Sequence, residues 1–538
     1  MGRFQQETQR RQCSAVGPEL LAVLPANAKP WYKTGHLIRL NLILLVPLFS
    51  ASTVGFDSAM MNGLQSLHQW KSYFNHPNAS LLGIINAIYP IGKLLGLAPA
   101  AWISDRYGRR KSMHVGLFFL ILGAVIQGGA QTLSMFIVSR LILGLATAFI
   151  LLPSPLLICE LAYPTQRGKL TALYNTFFYL GSVFAAWSTY GTFSIQSTWA
   201  WRIPSTLQGA FPLIQLCFFL LGSRVSKVCD NTPACEKTTN PVRWLIAHGK
   251  YSLARKILTK YHSAGDKNTP LVEFELAEIE TAIRAESTAM SQSSYIDYIR
   301  TAPNRRRTFI AVTLGFFAQW SGNGVVAYYL TLVLDTIGIK ATSSQTLING
   351  MLQIFNWTIS VVAGALMVDR LGRRTLFLIS TIGMLLSYIC WTALNSVFAR
   401  GNNQTAGYAV LAFIFVYYFF YDIAWTPLLW AYPAEIFPYT LRARGLTITL
   451  SSAYCGLILG QFVNPIAMVD IGWKYYIVFC CLLALLLGIV YFFYPETKGH
   501  SLEEIAEIFD GKSGIGRGES TDDIVTDRTA TTLRVAES

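Results

Sequence analysis

Twelve apolar stretches, each long enough to cross a bilayer, constrain this chain more than any other feature. A hydrocarbon core of ~30 Å takes about 20 residues of α-helix. Runs at roughly 37–60, 80–103, 112–130, 132–158, 169–191, 203–222, 308–334, 343–368, 375–397, 406–432, 445–468 and 473–494 meet that length. Lipid offers no partner to a free amide or carbonyl, so runs of this length specify helices. Composition agrees. Of 538 residues 13% are charged and 52% apolar, against roughly 25% charged in soluble chains. The expectation is an all-α polytopic membrane protein.

The net charge of +14 might suggest nucleic acid, but the basic residues gather in short loops between the runs. One set of loops holds Arg106, Arg109, Arg110 and Lys111, then Arg167 and Lys169, then Arg370, Arg373 and Arg374, then Arg442 and Arg444. The alternate loops hold far fewer. The positive-inside rule makes the first set cytosolic and puts both termini inside. The acceptor sequons at Asn78 and Asn403 then face outward, as glycosylation requires. Nine cysteines are scattered without a CxxC pair, which argues against a zinc site. The first run begins near Leu37, too far in for a cleaved secretory signal, and reads as the first span. The expected organisation is an N-terminal tail 1–36, a six-helix bundle 37–222, a helical cytosolic linker 223–307, a second bundle 308–495 and a tail 496–538.

The two halves repeat. Asp105-Arg-Tyr-Gly-Arg-Arg110 after the second span returns as Asp369-Arg-Leu-Gly-Arg-Arg374 after the eighth. Glu160-Leu-Ala-Tyr-Pro-Thr-Gln-Arg167 after the fourth returns as Glu435-Ile-Phe-Pro-Tyr-Thr-Leu-Arg442 after the tenth. The glycine permits a tight turn between helices, and the arginines can clasp Glu160 or Glu435. Asp105, Arg109, Glu160, Arg167, Asp369, Arg373, Glu435 and Arg442 are therefore assigned to gating. Their ion pairs are expected to form only while the cytosolic side is closed, biasing a two-state equilibrium.

These motifs resemble the sugar porter branch of the major facilitator superfamily. The likeness extends to Arg140-Leu-Ile-Leu-Gly, Gln319-Trp-Ser-Gly-Asn-Gly-Val-Val-Ala-Tyr-Tyr329, Tyr432-Pro-Ala-Glu-Ile-Phe-Pro438 and Pro495-Glu-Thr-Lys-Gly499. Within that branch, Gly55-Phe-Asp57, Met61-Asn-Gly-Leu-Gln65, Trp199-Ala-Trp-Arg-Ile-Pro204 and Asp422-Ile-Ala-Trp-Thr-Pro427 are similar to fungal lactose permeases and cellodextrin transporters. The resemblance implies two pseudo-symmetric six-helix bundles and proton-coupled import of a sugar such as lactose or cellobiose by alternating access. A facilitative hexose uniporter and a non-transporting sensor are the alternatives. Its implied partners are a sugar, a proton and the bilayer. It implies a monomer in the plasma membrane with no cofactor and no enzymatic activity.

Two departures stand out. Ala318 occupies a position where the branch usually has Gln, and Asn323 directly follows Gly322. Residues 223–240 replace the Pro-Glu-Ser-Pro-Arg expected after the sixth span, so an acid is missing there.

Four ionisable residues lie well within the spans: Asp57, Lys93, Arg140 and Asp422. Such charges are costly unless paired or wet, and each is a functional candidate. At 1.5 Å per residue, Asp57 and Arg140 sit at similar depth and are expected to pair. The resemblance points to the same pair as the proton switch. Lys93 and Asp422 sit deeper and could form a second pair by depth alone. Asp422 could instead be a second proton site or a hydroxyl acceptor. Sugar contacts implied by the resemblance are Asn175, Gln319, Asn323, Asn356, Trp430 and Gln461, with Tyr328 and Tyr329 closing the outer side. Amides both donate and accept, as sugar hydroxyls require, and an aromatic ring suits the C–H faces.

Overall fold

The computed structural model describes residues 23, 31–229, 242–266, 269–292, 294–366, 371–401, 403–498 and 502–510. All twelve apolar runs are helical. The first three spans are Gly35–Ser66, Ala79–Tyr107 and Arg109–Gly128. The fourth is Leu133–Leu151 continued by Pro153–Leu161, with the break just before a proline that has no amide for the ladder. The fifth is Arg167–Thr192, and the sixth is Trp199–Leu207 followed by Ala210–Cys229. That helix carries the sixth span past the expected boundary at 222. Thr342–Leu366, Arg373–Gly401, Gln404–Ile436, Tyr439–Ile471 and Tyr475–Phe493 form the eighth to twelfth spans.

Eight stretches among the described residues are long and apolar enough to cross a membrane by length and composition, and one, Arg444–Phe493, contains two spans. The fifth, sixth and eighth spans fall outside that set because each carries Ser, Thr, Asn, Gln or basic residues within its length. They complete a twelve-span fold.

The seventh span is broken. Ala302–Trp320 ends before Gly322, whose φ of 98° lies in the left-handed region, and Asn323–Thr336 begins directly after it. A second distortion follows at Tyr329, with φ −134° and ψ 30° inside the latter helix.

Packing follows the repeat. The first span packs on the fifth and the second on the fourth; in the other half the seventh packs on the eleventh and the eighth on the tenth. Between halves, the second span meets the eleventh and the fifth meets the eighth, which is the same contact with the halves exchanged.

The loops after the second and eighth spans also correspond in backbone. Gly108 and Gly372, each third after the motif's Asp, have φ of 96° and 89°, a conformation that costs glycine little. Arg109 lies 2.8 Å from Asp105 and 3.9 Å from Glu160, while Arg373 lies 3.0 Å from Glu435. Each of these pairs joins groups within one half. Arg167 Nε is buried without a hydrogen-bond partner. Asp369 lies outside the described residues.

The halves differ at one helix start. The Glu496 carboxylate accepts from the amides of Arg373 and Arg374 at 2.7 and 3.1 Å, capping the ninth span. The third span starts after Gly108, whose lack of a side chain leaves the N-cap position itself without a capping group.

The linker helices Tyr251–His262 and Pro270–Gln292 pack beneath the first half. Buried His262 places Nδ1 2.7 Å from Glu275 Oε2 and Nε2 3.2 Å from the Leu161 carbonyl. The tail helix Leu502–Asp510 is held under the seventh span by Arg307, 3.0 Å from both carboxylate oxygens of Asp510.

Candidate functional site

The linker, the tail helix and the arginine-rich loops share one end of the bundles, here the basic face. The opposite end is the far face. Between them lie three polar groupings.

The first is inside the N-terminal half. Asp57 and Arg140 are 2% and 3% exposed, and Arg140 Nη1 lies 3.7 Å from Asp57 Oδ1. A closer partner was not anticipated from sequence. Gln208 Nε2 donates to the same Asp57 oxygen at 2.7 Å. Gln208 falls between the two helices of the sixth span, where the break directs it inward. Arg140 Nε donates to the Ile85 carbonyl at 2.9 Å, and its guanidinium lies 5.4 Å from the Tyr89 ring centroid. Nη1 makes no hydrogen bond. Lys93 is buried with Nζ 4.3 Å from the same ring. Tyr89 therefore bears two cations, each attracted by the ring quadrupole.

The second grouping joins the halves near mid-depth. Tyr179, on the fifth span, donates to Asp422 Oδ1 at 2.6 Å, and Thr426 donates to the same oxygen at 2.8 Å. This overturns the Lys93–Asp422 pair allowed by depth. Lys93 faces the interior of its own half, whereas Asp422 faces the neighbouring half and takes hydroxyl donors. Depth fixes a level in the membrane but not an azimuth.

The third grouping seals the far face. The distortion at Tyr329 opens one rung of the helical ladder, between Leu330 and Val326. Asn62 of the first span fills it: Leu330 N–H donates to Asn62 Oδ1 at 3.1 Å, and Asn62 Nδ2 donates to the Val326 carbonyl at 3.2 Å. Asn62 Nδ2 also donates to the Ala327 carbonyl. Gln65 Nε2 donates to the Tyr328 carbonyl at 3.1 Å, and Thr342 Oγ1 to the Ser66 carbonyl at 3.3 Å. Kinks commonly arise where a side chain enters the ladder. Here that side chain belongs to the other half.

The sugar-contact candidates are distributed around these groupings. Gln319 is half-buried just before the Gly322 break. Asn323 accepts from the Tyr418 hydroxyl at 3.0 Å, so its carbonyl oxygen is engaged within the C-terminal half. Tyr329 is buried, and its hydroxyl donates to the Gln461 main-chain carbonyl at 2.7 Å, joining those two candidates. Gln461 Oε1 and Asn356 Oδ1 are buried without partners. Tyr328 is half-buried, and Trp430 is 41% exposed. The Asn175 side chain lies outside the described residues. Asn78 and Asn403 are exposed N-caps on the far face, accepting from Leu81 and Thr405 amides. No group of three or more metal-ligating side chains occurs among the described residues.

Sequence reasoning missed Gln208, Tyr179 and the roles of Asn62 and Gln65. The available signal was weak: Asn62 and Gln65 stand three residues apart, on one helical face, at the far end of the first span.

Known proteins agree with this architecture. The family profile described as "Sugar (and other) transporter" matches residues 43–509. The chain is 28% identical over 499 residues to a high-affinity glucose transporter of Kluyveromyces lactis, covering 89% of this chain and 86% of that protein. It is 27% identical over 482 residues to the MFS-type transporter criB of Aspergillus cristatus, covering 89% and 96%. Among solved structures, the inward-open xylose transporter XylE of E. coli superposes with a TM-score of 0.69 at 22% identity, covering 87% of this chain and all of that one. That similarity is one of fold. With twelve spans in two exchanged halves and the matched profile over most of its length, the chain belongs to the sugar transporter family of the major facilitator superfamily and is a membrane transporter rather than an enzyme.

Proposed function

We propose that the protein is a proton-coupled sugar symporter of the plasma membrane, with the basic face and both termini cytosolic. Its cargo is a sugar, and the subgroup motifs favour a disaccharide such as lactose or cellobiose. The observation that carries this reading is the buried Asp57–Gln208–Arg140 cluster, placed in the same first span as the far-face seal. A proton on Asp57 removes the charge that Arg140 and Gln208 hold, and the freed guanidinium changes how the first, fourth and sixth spans pack. Because Asn62 lies a little over one turn beyond Asp57 on that helix, a shift there reaches the seal directly. Proton and sugar then act on one two-state equilibrium, and their coupling is reciprocal.

Gln319, Asn323, Asn356, Gln461 and Trp430, with Asn175 from the fifth span, supply the hydroxyl-binding groups, and Tyr328 and Tyr329 belong to the helix that closes over them. Asp422 is a second buried acid able to take up a proton. Asp105, Arg109, Glu160, Arg167, Asp369, Arg373, Glu435 and Arg442 gate the cytosolic side, their ion pairs biasing the two-state equilibrium toward its closed form. Asn78 and Asn403 are exposed acceptors for glycosylation, and the transporter works as a monomer.

Uptake of labelled glucose, lactose and cellobiose in transporter-null yeast at two external pH values tests the reading. Uptake should rise with acidity and alkalinise the medium. Asp57→Asn should retain sugar exchange but lose the pH dependence. Uptake by the unaltered protein that neither moves protons nor responds to pH would establish facilitated diffusion instead.

A further inference from the structure

The linker meets the N-terminal half at a histidine whose two ring nitrogens both face acceptors. His262 Nδ1 lies 2.7 Å from Glu275 Oε2, and Nε2 lies 3.2 Å from the Leu161 carbonyl. Both side chains are buried, and Glu275 Oε1 has no hydrogen-bond partner. A neutral imidazole offers one donor and one acceptor, whereas the imidazolium offers two donors. The Leu161 carbonyl can only accept, so Nε2 must carry a hydrogen. A second hydrogen must then lie between Nδ1 and Oε2, whichever of the two holds it. The docked pair therefore contains one proton more than a free histidine and a free glutamate hold between them at neutral pH, where most of the imidazole is neutral and the carboxyl is ionised.

The setting favours that extra proton. Leu161 ends the helix Pro153–Leu161, and the last carbonyls of a helix attract a cation. Glu275 is buried, where an ionised carboxylate is costly without a counter-charge. Two other titratable groups are set against the pair. Tyr163, just after the fourth span, has its ring centroid 5.5 Å from that of His262, and a phenol carries no charge at neutral pH. His36, at the head of the first span, feels the charge of His262 and opposes it when itself protonated.

We propose that His262 and Glu275 form a proton-operated latch: the linker docks on the N-terminal half with uptake of one proton and loosens as the compartment at the basic face becomes alkaline. The docked state binds the extra proton, so acid favours docking. The gain is complete below about 6.5, the value for a free histidine, and is lost as pH rises through that of the docked pair. Leu161 directly follows Glu160, which faces Arg109 at 3.9 Å, and the linker shares one apolar cluster with Leu37, Leu40 and Leu44 of the first span. The latch thus joins the ends of the first and fourth spans at the basic face. It goes beyond the transport reading and does not depend on which cargo is carried.

The test is amide exchange of the full chain in lipid nanodiscs across the neutral and mildly alkaline range, corrected for the base catalysis of exchange itself. Protection of Tyr251–His262 should fall by up to about ten-fold for each pH unit above neutrality, the effect of one proton, while that of the spans stays level. Glu275→Gln offers an amide N–H to Nδ1, so a neutral ring completes both bonds. Protection in that variant should vary by no more than about two-fold across the range once the extra proton is dispensable. His262→Phe keeps a ring but has no donor, and should leave the helix about ten-fold less protected than the unaltered protein in acid, with no dependence on pH. Level protection of the spans establishes that each variant folds.

Protection of the unaltered helix that does not change with pH, or a slope that persists undiminished in Glu275→Gln, overturns the latch. Either result leaves sugar transport standing, since uptake alone decides that reading.

Discussion

At Asp57 the bond from Gln208 is shorter than the approach of Arg140, 2.7 against 3.7 Å. A hydrogen bond to a charged group contributes ~1.5–3 kcal/mol, so the amide is a tether of its own beside the ion pair. Gln208→Leu is expected to reduce proton-driven sugar accumulation about ten-fold while energy-independent counterflow continues; accumulation within two-fold of the unaltered protein would remove Gln208 from coupling. The charged pair was visible in the sequence because ionisable residues are rare in apolar runs, and equal depth suggested the partner. Gln208 and Tyr179 were not visible. Neutral polar residues are common in packed membrane helices, and only tertiary packing reveals which of them faces a carboxylate. The same limit explains Lys93 and Asp422, whose shared depth suggested a pair that their azimuths forbid.

Among the described helices, the ninth span has its start held by a carboxylate from the far end of the chain. Burial raises the Glu496 pKa, but amide donors from Lys498, Arg373, Thr375 and Thr497 outweigh it and hold the carboxyl below its ordinary 4.5. A carboxylate at a helix N-terminus also meets the positive end of the dipole. Glu496→Gln should destabilise the protein by ~1 kcal/mol at neutral pH, the usual scale for a lost cap. Because the folded value is depressed, the contribution is present above about 4.5 and disappears as pH falls through the lower folded value. Thermal melts of the two proteins should therefore converge only in acid, and a difference that persists undiminished there would exclude the carboxylate as its source. The twelve spans themselves were legible because length and apolarity suffice to specify them. Their interruptions were less so. The Ser-Gly-Asn-Gly sequence around Gly322 and the proline at 153 mark the breaks in the seventh and fourth spans, but membrane burial masks them in an apolar profile. The sixth-span break beside Gln208 is marked by Gly209 and by Pro212, which has no amide to donate back to the Gln208 carbonyl.

For the molecule as a whole, the far face is where side chains of one half are tied to the main chain of the other. Ser66 and Thr342 stand on different halves and already touch through a hydrogen bond of 3.3 Å. Cysteines introduced at both positions should cross-link on oxidation and lower uptake at least about ten-fold, with recovery on reduction; uptake unaffected by a formed cross-link would show that the halves do not part there. The repeat made the existence of two bodies legible, since identical motifs at corresponding loops imply duplicated units. It did not show how the bodies grip each other, because that grip runs from side chains to main chain. Asn62 completes a rung between Val326 and Leu330 without consulting the side chain of either residue. A clasp that reads only peptide groups is indifferent to the letters written on the strip it holds. The seventh helix can therefore exchange its cargo-facing residues over evolutionary time while the door keeps the same hinge and bolt, and a panel of substitutions at Tyr328 or Ala327 becomes a practical route to new cargo.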